Sequence, residues 1–525
     1  MDMITTAPPQ APEAAAALGG RDRTLLFWGC FTVLVASAFG FVFRSFLMDG
    51  WGIQFGLSKT QQGEIFGVSF WPFGISIVLF SLVIDRVGYK SAMLFAFACH
   101  CASVVLTVMA TGYWMLYFGT LLFALGNGAA EAVVNPVVAT MYPREKTKWL
   151  NILHAGWPAG MVLAGLLGIA LIHFQVRWEI MIGCILLPVV AYGWMIMGKK
   201  FPVSERVQAG VSYLDMVKEV GVLGIAIIVS LCVFQAGSLL NWSLTGKIAV
   251  TLGITLAAGL VVRSWGRPMF ILLLLVMVLL ATTELGTDSW ITDLMTPEMA
   301  KMGLQGGWVL IYTSVIMAVL RFYAGPIVHR FSPLGLLAVS AAVAFAGLNF
   351  LSWSSGIMIL VAATVYALGK TFLWGTMLGV VAERFPKGGV LALNFTGAVG
   401  QVGVGVIGAV ILGFVQDKQL DKNLMRYDAG NHTALHATYL TQDRKSLFGE
   451  YRVIDNARLE TAPDAAKETI RGVREGAKKD ALRTVSVFPV IMLLCYIGMI
   501  LYFRRRGGYK PVLLSPADGH QSSNT

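Results

Sequence analysis

Glu131 stands in the middle of a long apolar run, with Asn127 and Asn135 one helical turn away on either side. Residues at i−4 and i+4 share a helix face, so the three side chains form one polar stripe. A carboxylate in such a stripe can take up and release a proton, and the amides can hold a polar solute. Lys370 lies at the centre of a second apolar run, with Trp374 one turn further along. Glu284 and Asp288 share a face of a third run, and Arg44 lies near the end of the first. Asn151, His154, Arg321 and Asn394 complete the set, towards the ends of their own runs. A charge at bilayer depth costs about 2.5–3.5 kcal/mol on insertion scales, so each needs a partner, a cavity or a route to the interface. Plain alternatives exist: snorkelling for Arg44, a structural ion pair for Lys370, a structural hydrogen bond for Glu131.

The elements that hold these residues follow from composition. Of 525 residues, 56% are hydrophobic and 13% charged, about half the charged share of a soluble protein. Stretches of about 20 apolar residues cross a membrane, and fourteen are found: roughly 25–48, 62–84, 91–111, 114–140, 150–173, 178–198, 222–240, 245–263, 268–292, 307–328, 334–353, 357–383, 389–415 and 485–504. Arg21 and Arg23, Arg86 and Lys90, Arg144 to Lys148, Lys199 and Lys200, and Arg504 to Arg506 all fall on one side. The positive-inside rule makes that side cytoplasmic and places both termini there, in a plasma or inner membrane. The net charge of +11 is therefore read as membrane anchoring, with no nucleic-acid partner expected. Residues 416–483 form a long segment on the opposite side, with a helix expected over 463–483 leading into the last span. The alanine- and proline-rich N-terminus has no apolar core of a cleaved signal peptide.

The chain repeats itself. At an offset of 243, Leu125–Pro143 aligns with Leu368–Pro386, Asn151 with Asn394 and Gly165 with Gly408; an offset of 244 sets Asp85-Arg86 on His329-Arg330. The fold expected is all-α and membrane-integral: two pseudo-symmetric six-helix bundles, with two extra helices between them. The parts are a tail (1–23), an N-terminal bundle (24–200), a linker with the extra helices (201–266), five helices of the second bundle (267–416), the insertion (417–483), the last helix (484–504) and a second tail (505–525). Repeated halves of this kind put a solute site near the midplane and rock one half against the other.

The run Ser81-Leu82-Val83-Ile84-Asp85-Arg86-Val87-Gly88-Tyr89-Lys90 resembles the loop signature G-x-x-x-D-R-x-G-R-K of the major facilitator superfamily. Ser81 replaces the first glycine and Tyr89 the first basic residue of the closing pair; the second copy keeps Gly325 and Arg330 but has His329 for the acid. The resemblance implies a cytoplasmic gate at Asp85, Arg86, Lys90 and Arg330. Glu131-Ala132-Val133-Val134-Asn135-Pro136 further resembles the fucose–galactose–glucose proton symporter branch, which implies a proton-coupling role for Glu131. That branch carries an acid in its first helix where this chain has Arg44, and it has twelve spans.

The reading is a secondary active transporter of a small polar, sugar-like solute, coupled to protons. Glu131, Glu284 and Asp288 are the coupling candidates. The cavity candidates are Arg44, Asn127, Asn135, Asn151, His154, Lys370, Trp374 and Asn394. An organic-anion or sugar-acid symporter suits Arg44 and Lys370 better than a neutral-sugar carrier does. The helix-one motif of proton–peptide symporters is absent, and the helix-five motif of multidrug antiporters is poorly matched. The expected partners are the solute, protons and the bilayer, with a functional monomer. No nucleophile–base pair, metal constellation or cofactor fingerprint stands out, so an enzyme, a metal or a cofactor is not expected.

Overall fold

Within hydrocarbon every peptide N–H and C=O must be satisfied inside its own segment, which makes helices of these apolar runs. The computed structural model describes residues 20–57, 65–203, 205–240, 242–304, 307–446 and 449–512. Residues 1–19 and 513–525 of the two tails lie outside that range. The first half comprises α1 (Gly20–Met48), α2 (Ile65–Val87), α3 (Tyr89–Val108), α4 (Tyr113–Met141), α5 (Lys146–His173) and α6 (Trp178–Ile196). Between the halves run α7 (Tyr213–Gly237) and α8 (Leu244–Val262). The second half comprises α9 (Pro268–Ala300), α10 (Gly307–Phe322 with Ala324–Arg330), α11 (Pro333–Trp353), α12 (Met358–Arg384), α13 (Pro386–Gly408) and α14 (Asp464–Arg504). The two pieces of α10 bend by 67°. These fourteen elements match the fourteen apolar stretches one for one.

Burial separates the helices by task. In α4 and α13 most residues are buried, since both are enclosed between the halves. Almost nothing of α8 is buried, and Leu252, Leu256 and Leu260 face outward. The extra hairpin is thus peripheral, with α7 against α13 and α8 beyond it.

The face that carries Arg86, Lys146 and Arg504 is called here the basic face, and the opposite one the cap face. On the cap face the helix of α13 continues as Ala409–Asn431, and α14 starts well outside the apolar zone. These two extensions pack on each other through Leu420, Leu424, Ile470 and Ala477. Strand β1 (Gln442–Ser446) pairs antiparallel with β2 (Gly449–Val453), Gln442 opposite Val453. This hairpin is a small departure from the all-α expectation. Lys479 fixes the cap to the second half, pairing with Glu298 (2.8 Å) and donating to the Ser354 carbonyl (3.1 Å).

Candidate functional site

A narrow chamber of about 80 Å³ lies between the halves, lined by Arg44, Asn127, Glu131, His154, Glu284 and Asp288 among others. A wider cavity of about 580 Å³ shares Phe41, Met161, Asp288 and Ser289 with it and reaches Ile172, His173 and Trp308 at the cap-side ends of α5 and α10.

Arg44 is 1% exposed, so it does not snorkel. Its Nη1 donates to the Gly40 carbonyl (3.1 Å) and its Nη2 to Ser103 Oγ (2.8 Å). The guanidinium carbon lies 4.4 Å from the Phe123 ring centroid. Gly40 makes this packing possible, because a Cβ there would stand 2.1 Å from the ring. Nε has no hydrogen-bond partner, and no described carboxylate pairs with Arg44. A cation held by neutral groups at a cavity wall is poised for an anion.

The polar stripe of α4 is held from behind. Asn127 Oδ1 accepts from Ser37 Oγ (2.8 Å) and from His100 Nε2 (3.0 Å), while Tyr192 OH donates to His100 Nδ1 (2.9 Å). With its oxygen engaged, Asn127 has its amide N–H groups left for the chamber. Asn135 Oδ1 accepts from His154 Nε2 (3.0 Å), joining α4 to α5. Glu131 lies between them, 5% exposed and outside any ion pair among the described residues. Across from it α13 presents Gly397; the nearest atom to a Cβ built there would be Glu131 Oε1, at 3.8 Å.

In the second half the charges are paired. Arg321 Nη2 donates to Glu284 Oε1 (2.7 Å), its Nε to the Thr371 carbonyl and its Nη1 to the His154 carbonyl (3.1 Å). Arg321 thereby crosses between the halves, a role its sequence position did not disclose. Glu284 sits in a π-helical turn, Thr282–Gly286, which packs against a second such turn, Val404–Gly408. Turns of this kind break the regular ladder and often mark functional sites. Lys370 is fully buried and bonded to Asp288, with its Nζ 5.0 Å from the Tyr366 ring centroid. It does not line the chamber; Asp288 stands in front of it.

Two other cavity candidates belong elsewhere. Asn151 Nδ2 donates to Thr376 Oγ1 of α12 (3.0 Å), and Asn394 Nδ2 to the Ala132 carbonyl of α4 (2.8 Å) and Ser81 Oγ of α2 (3.0 Å). Both are fully buried, absent from the chamber wall, and each leaves its Oδ1 without a partner. They are repeat equivalents, and so are their surroundings: Ala132 corresponds to Gly375, next to Thr376. The result is a pair of reciprocal clasps across the interface. Nearer the basic face Thr147 Oγ1 donates to Glu383 Oε1 (2.5 Å), Lys146 Nζ to the Ala382 carbonyl (3.3 Å), and His329 meets Glu145 at 3.0 Å. Gly379 lets the helices touch, since a Cβ there would stand 2.3 Å from Thr147 Oγ1. The chamber is therefore sealed towards the basic face and continuous with space towards the cap face.

Of the gate residues, Arg86 lies over the Tyr213 ring (5.9 Å), while Lys90 and Arg330 are exposed. Asp85 lies in the last turn of α2, next to Arg86. Trp157 and Trp374 line the chamber, the latter against Gly400. Gln401 also lines it, and nothing in its sequence context had marked it.

Residues 25–409 match the sequence pattern of the Major Facilitator Superfamily. Over 195 residues the chain is 23% identical to a gentisate transporter of Corynebacterium glutamicum, covering 37% of this chain and 44% of that one. Over 164 residues it is 24% identical to a hexuronate transporter of Bacillus subtilis, covering 31% and 38%. The matched region thus spans less than half the length of these curated relatives. Among solved structures, FucP in an outward conformation has a TM-score of 0.57 at 15% identity, covering 90% of this chain and 99% of its own. The human organic anion transporter MFSD10 has a TM-score of 0.58 at 11% identity, covering 91% and 99%. The fourteen helices, their internal repeat and the sealed midplane chamber agree with the match over residues 25–409: this chain belongs to the Major Facilitator Superfamily.

Proposed function

We propose that the protein carries a small organic anion, a carboxylate-bearing solute of about sugar size, together with a proton. The observation that carries this reading is Arg44, a buried guanidinium on the chamber wall with no acid beside it. Charge balance supports the coupling. Arg44, Arg321 and Lys370 face Glu131, Glu284 and Asp288, so the empty site is neutral when Glu131 is ionised. Protonating Glu131 leaves one positive charge, which a bound monoanion cancels. Both the empty and the loaded site are then neutral, as a low-dielectric crossing favours. A neutral sugar would leave Arg44 unmatched in the loaded state.

The relatives named for gentisate and hexuronate transport, and the structural neighbour named for organic anions, are in keeping with this choice. The lysine- and arginine-rich side supports a cytoplasmic basic face with both termini inside. In that orientation the structure is open outward, and breaking the clasps would open it inward. The test is uptake by the purified protein in liposomes under an imposed inward proton gradient. A hexuronate should accumulate while fucose does not; accumulation of fucose alone would overturn the reading.

A further inference from the structure

A third cavity, of about 590 Å³, opens at the basic face where the extra hairpin meets the second half. Its walls come from five helices: Glu219 on α7; Arg267 and Met269 at the start of α9; Arg384 at the end of α12 and Lys387 at the start of α13; Tyr502 near the end of α14. The solute pathway uses none of them. Three cations and one acid give the cavity a net charge of +2. Arg267 Nε donates to Glu219 Oε1 (3.0 Å), which leaves the ends of that guanidinium for a ligand. Arg384 gives one N–H to the Lys510 carbonyl and stacks over Phe503 (4.7 Å). Met269, Leu272, Phe385 and Tyr502 supply apolar wall.

The cavity is built rather than accidental. The loop 263–267 is locked to α7, with Val222 N–H donating to the Ser264 carbonyl (2.8 Å) and Arg267 N–H to the Glu219 carbonyl (3.2 Å). Gly221, at φ +66°, makes the lock possible, because a Cβ there would stand 2.0 Å from Gly266 N. The same loop holds Trp265 75% exposed, and tryptophan is a residue type enriched at membrane–water interfaces.

We infer that this cavity binds the headgroup of an anionic phospholipid, its phosphodiester against Arg267, Arg384 and Lys387 and its acyl chains beside Met269 and Leu272. Position decides between a lipid and a soluble phosphate: the cavity sits at the ends of α9, α12 and α14, where the bilayer supplies headgroups. Basic pockets between helices at a cytoplasmic surface take such headgroups. A lipid there touches the extra hairpin, the second half and the tail after α14 at once.

The experiment is native mass spectrometry of the full chain, released from nanodiscs holding equal amounts of phosphatidylglycerol and phosphatidylcholine. The wild type should retain phosphatidylglycerol over phosphatidylcholine by fivefold or more. The double variant Arg384→Gln, Lys387→Gln should lose that preference, and Arg384→Lys with Lys387→Arg should keep it. Millimolar inorganic phosphate should not displace the lipid. Equal retention of the two lipids by the wild type, an unchanged preference in the glutamine variant, or displacement by phosphate would each overturn the inference. Melting temperature in pure phosphatidylcholine nanodiscs, equal among the variants, separates lost binding from lost folding.

Discussion

Lys370 is bonded to Asp288; the offset of 243 sets Lys370 on Asn127, and the offset of 244 that aligns Asp85 with His329 sets Asp288 on Arg44. One half therefore closes an acid–base pair between its first and fourth helices. In the other, Arg44 is held by the Gly40 carbonyl and Ser103 Oγ, and Asn127 by Ser37 and His100. That asymmetry leaves Arg44 on the chamber wall with no described carboxylate paired to it, the feature on which the proposed anion site rests.

Arg44→Ala should therefore weaken an anionic solute far more than it weakens the protein. Losing one partner of a buried charge pair costs about 2–5 kcal/mol, or roughly thirtyfold or more in apparent affinity. Arg44→Lys should recover part of it, since a lysine keeps the charge without the planar fork. Counterflow KM values for a hexuronate measure both; an Arg44→Ala KM within threefold of wild type would remove the residue from the site.

Glu131→Gln should abolish uptake driven by a pH gradient and preserve solute counterflow, which needs no net proton movement. Accumulation by this variant under a pH gradient alone would pass the coupling role to Glu284 or Asp288.

The asparagine clasps should hold the state that is closed towards the basic face. Each Asn→Ala change removes hydrogen bonds worth about 1 kcal/mol net, a shift of roughly fivefold in the conformational equilibrium. The effects of Asn151→Ala and Asn394→Ala should be alike, because the two are repeat equivalents, and should add in the double variant. Spin labels at Val87 and Phe331 on the basic face read the distance between the halves. An unchanged distance distribution in the double variant would show that the clasps do not hold the seal.

Glu145 bears on pH in a way that keeps it out of coupling. The hydrogen bond from Lys148 is the main reason its carboxyl titrates below the usual carboxylate range. A depressed acid favours its paired state above its ordinary pKa and loses that benefit only as pH falls through the lowered value. Across pH 5 to 8 Glu145 therefore stays ionised. Glu145→Gln should reduce the uptake rate while leaving the midpoint of the pH–uptake curve in place, and a displaced midpoint would contradict this.

Much of this was legible from residue order. Fourteen apolar runs gave fourteen helices, and the offset of 243 marked Asn151 and Asn394 as equivalents. Glu131 announced itself by depth and by its flanking asparagines. The pairings were not legible, because Asp288 and Lys370 are 82 residues apart and Glu284 and Arg321 37 apart. Periodicity ranks faces of one helix and is silent on which helix lies opposite. Asn151 and Asn394 read as cavity residues because they are polar and intramembrane. In an alternating transporter such faces meet the solute in one state and the other half in the next. Thr147 and Glu383, which nothing in their sequence context marked, are buried partners across the seal.

The central claim, one proton with one organic anion, is tested most directly by separating the two components of the proton-motive force. Proteoliposomes are loaded with labelled hexuronate under a pH gradient at zero potential, then under a potastium-diffusion potential at equal pH. The account predicts several-fold accumulation in the first case and none in the second, because the loaded and empty sites carry the same charge. Accumulation driven by the potential alone, or uptake indifferent to the pH gradient, would contradict it.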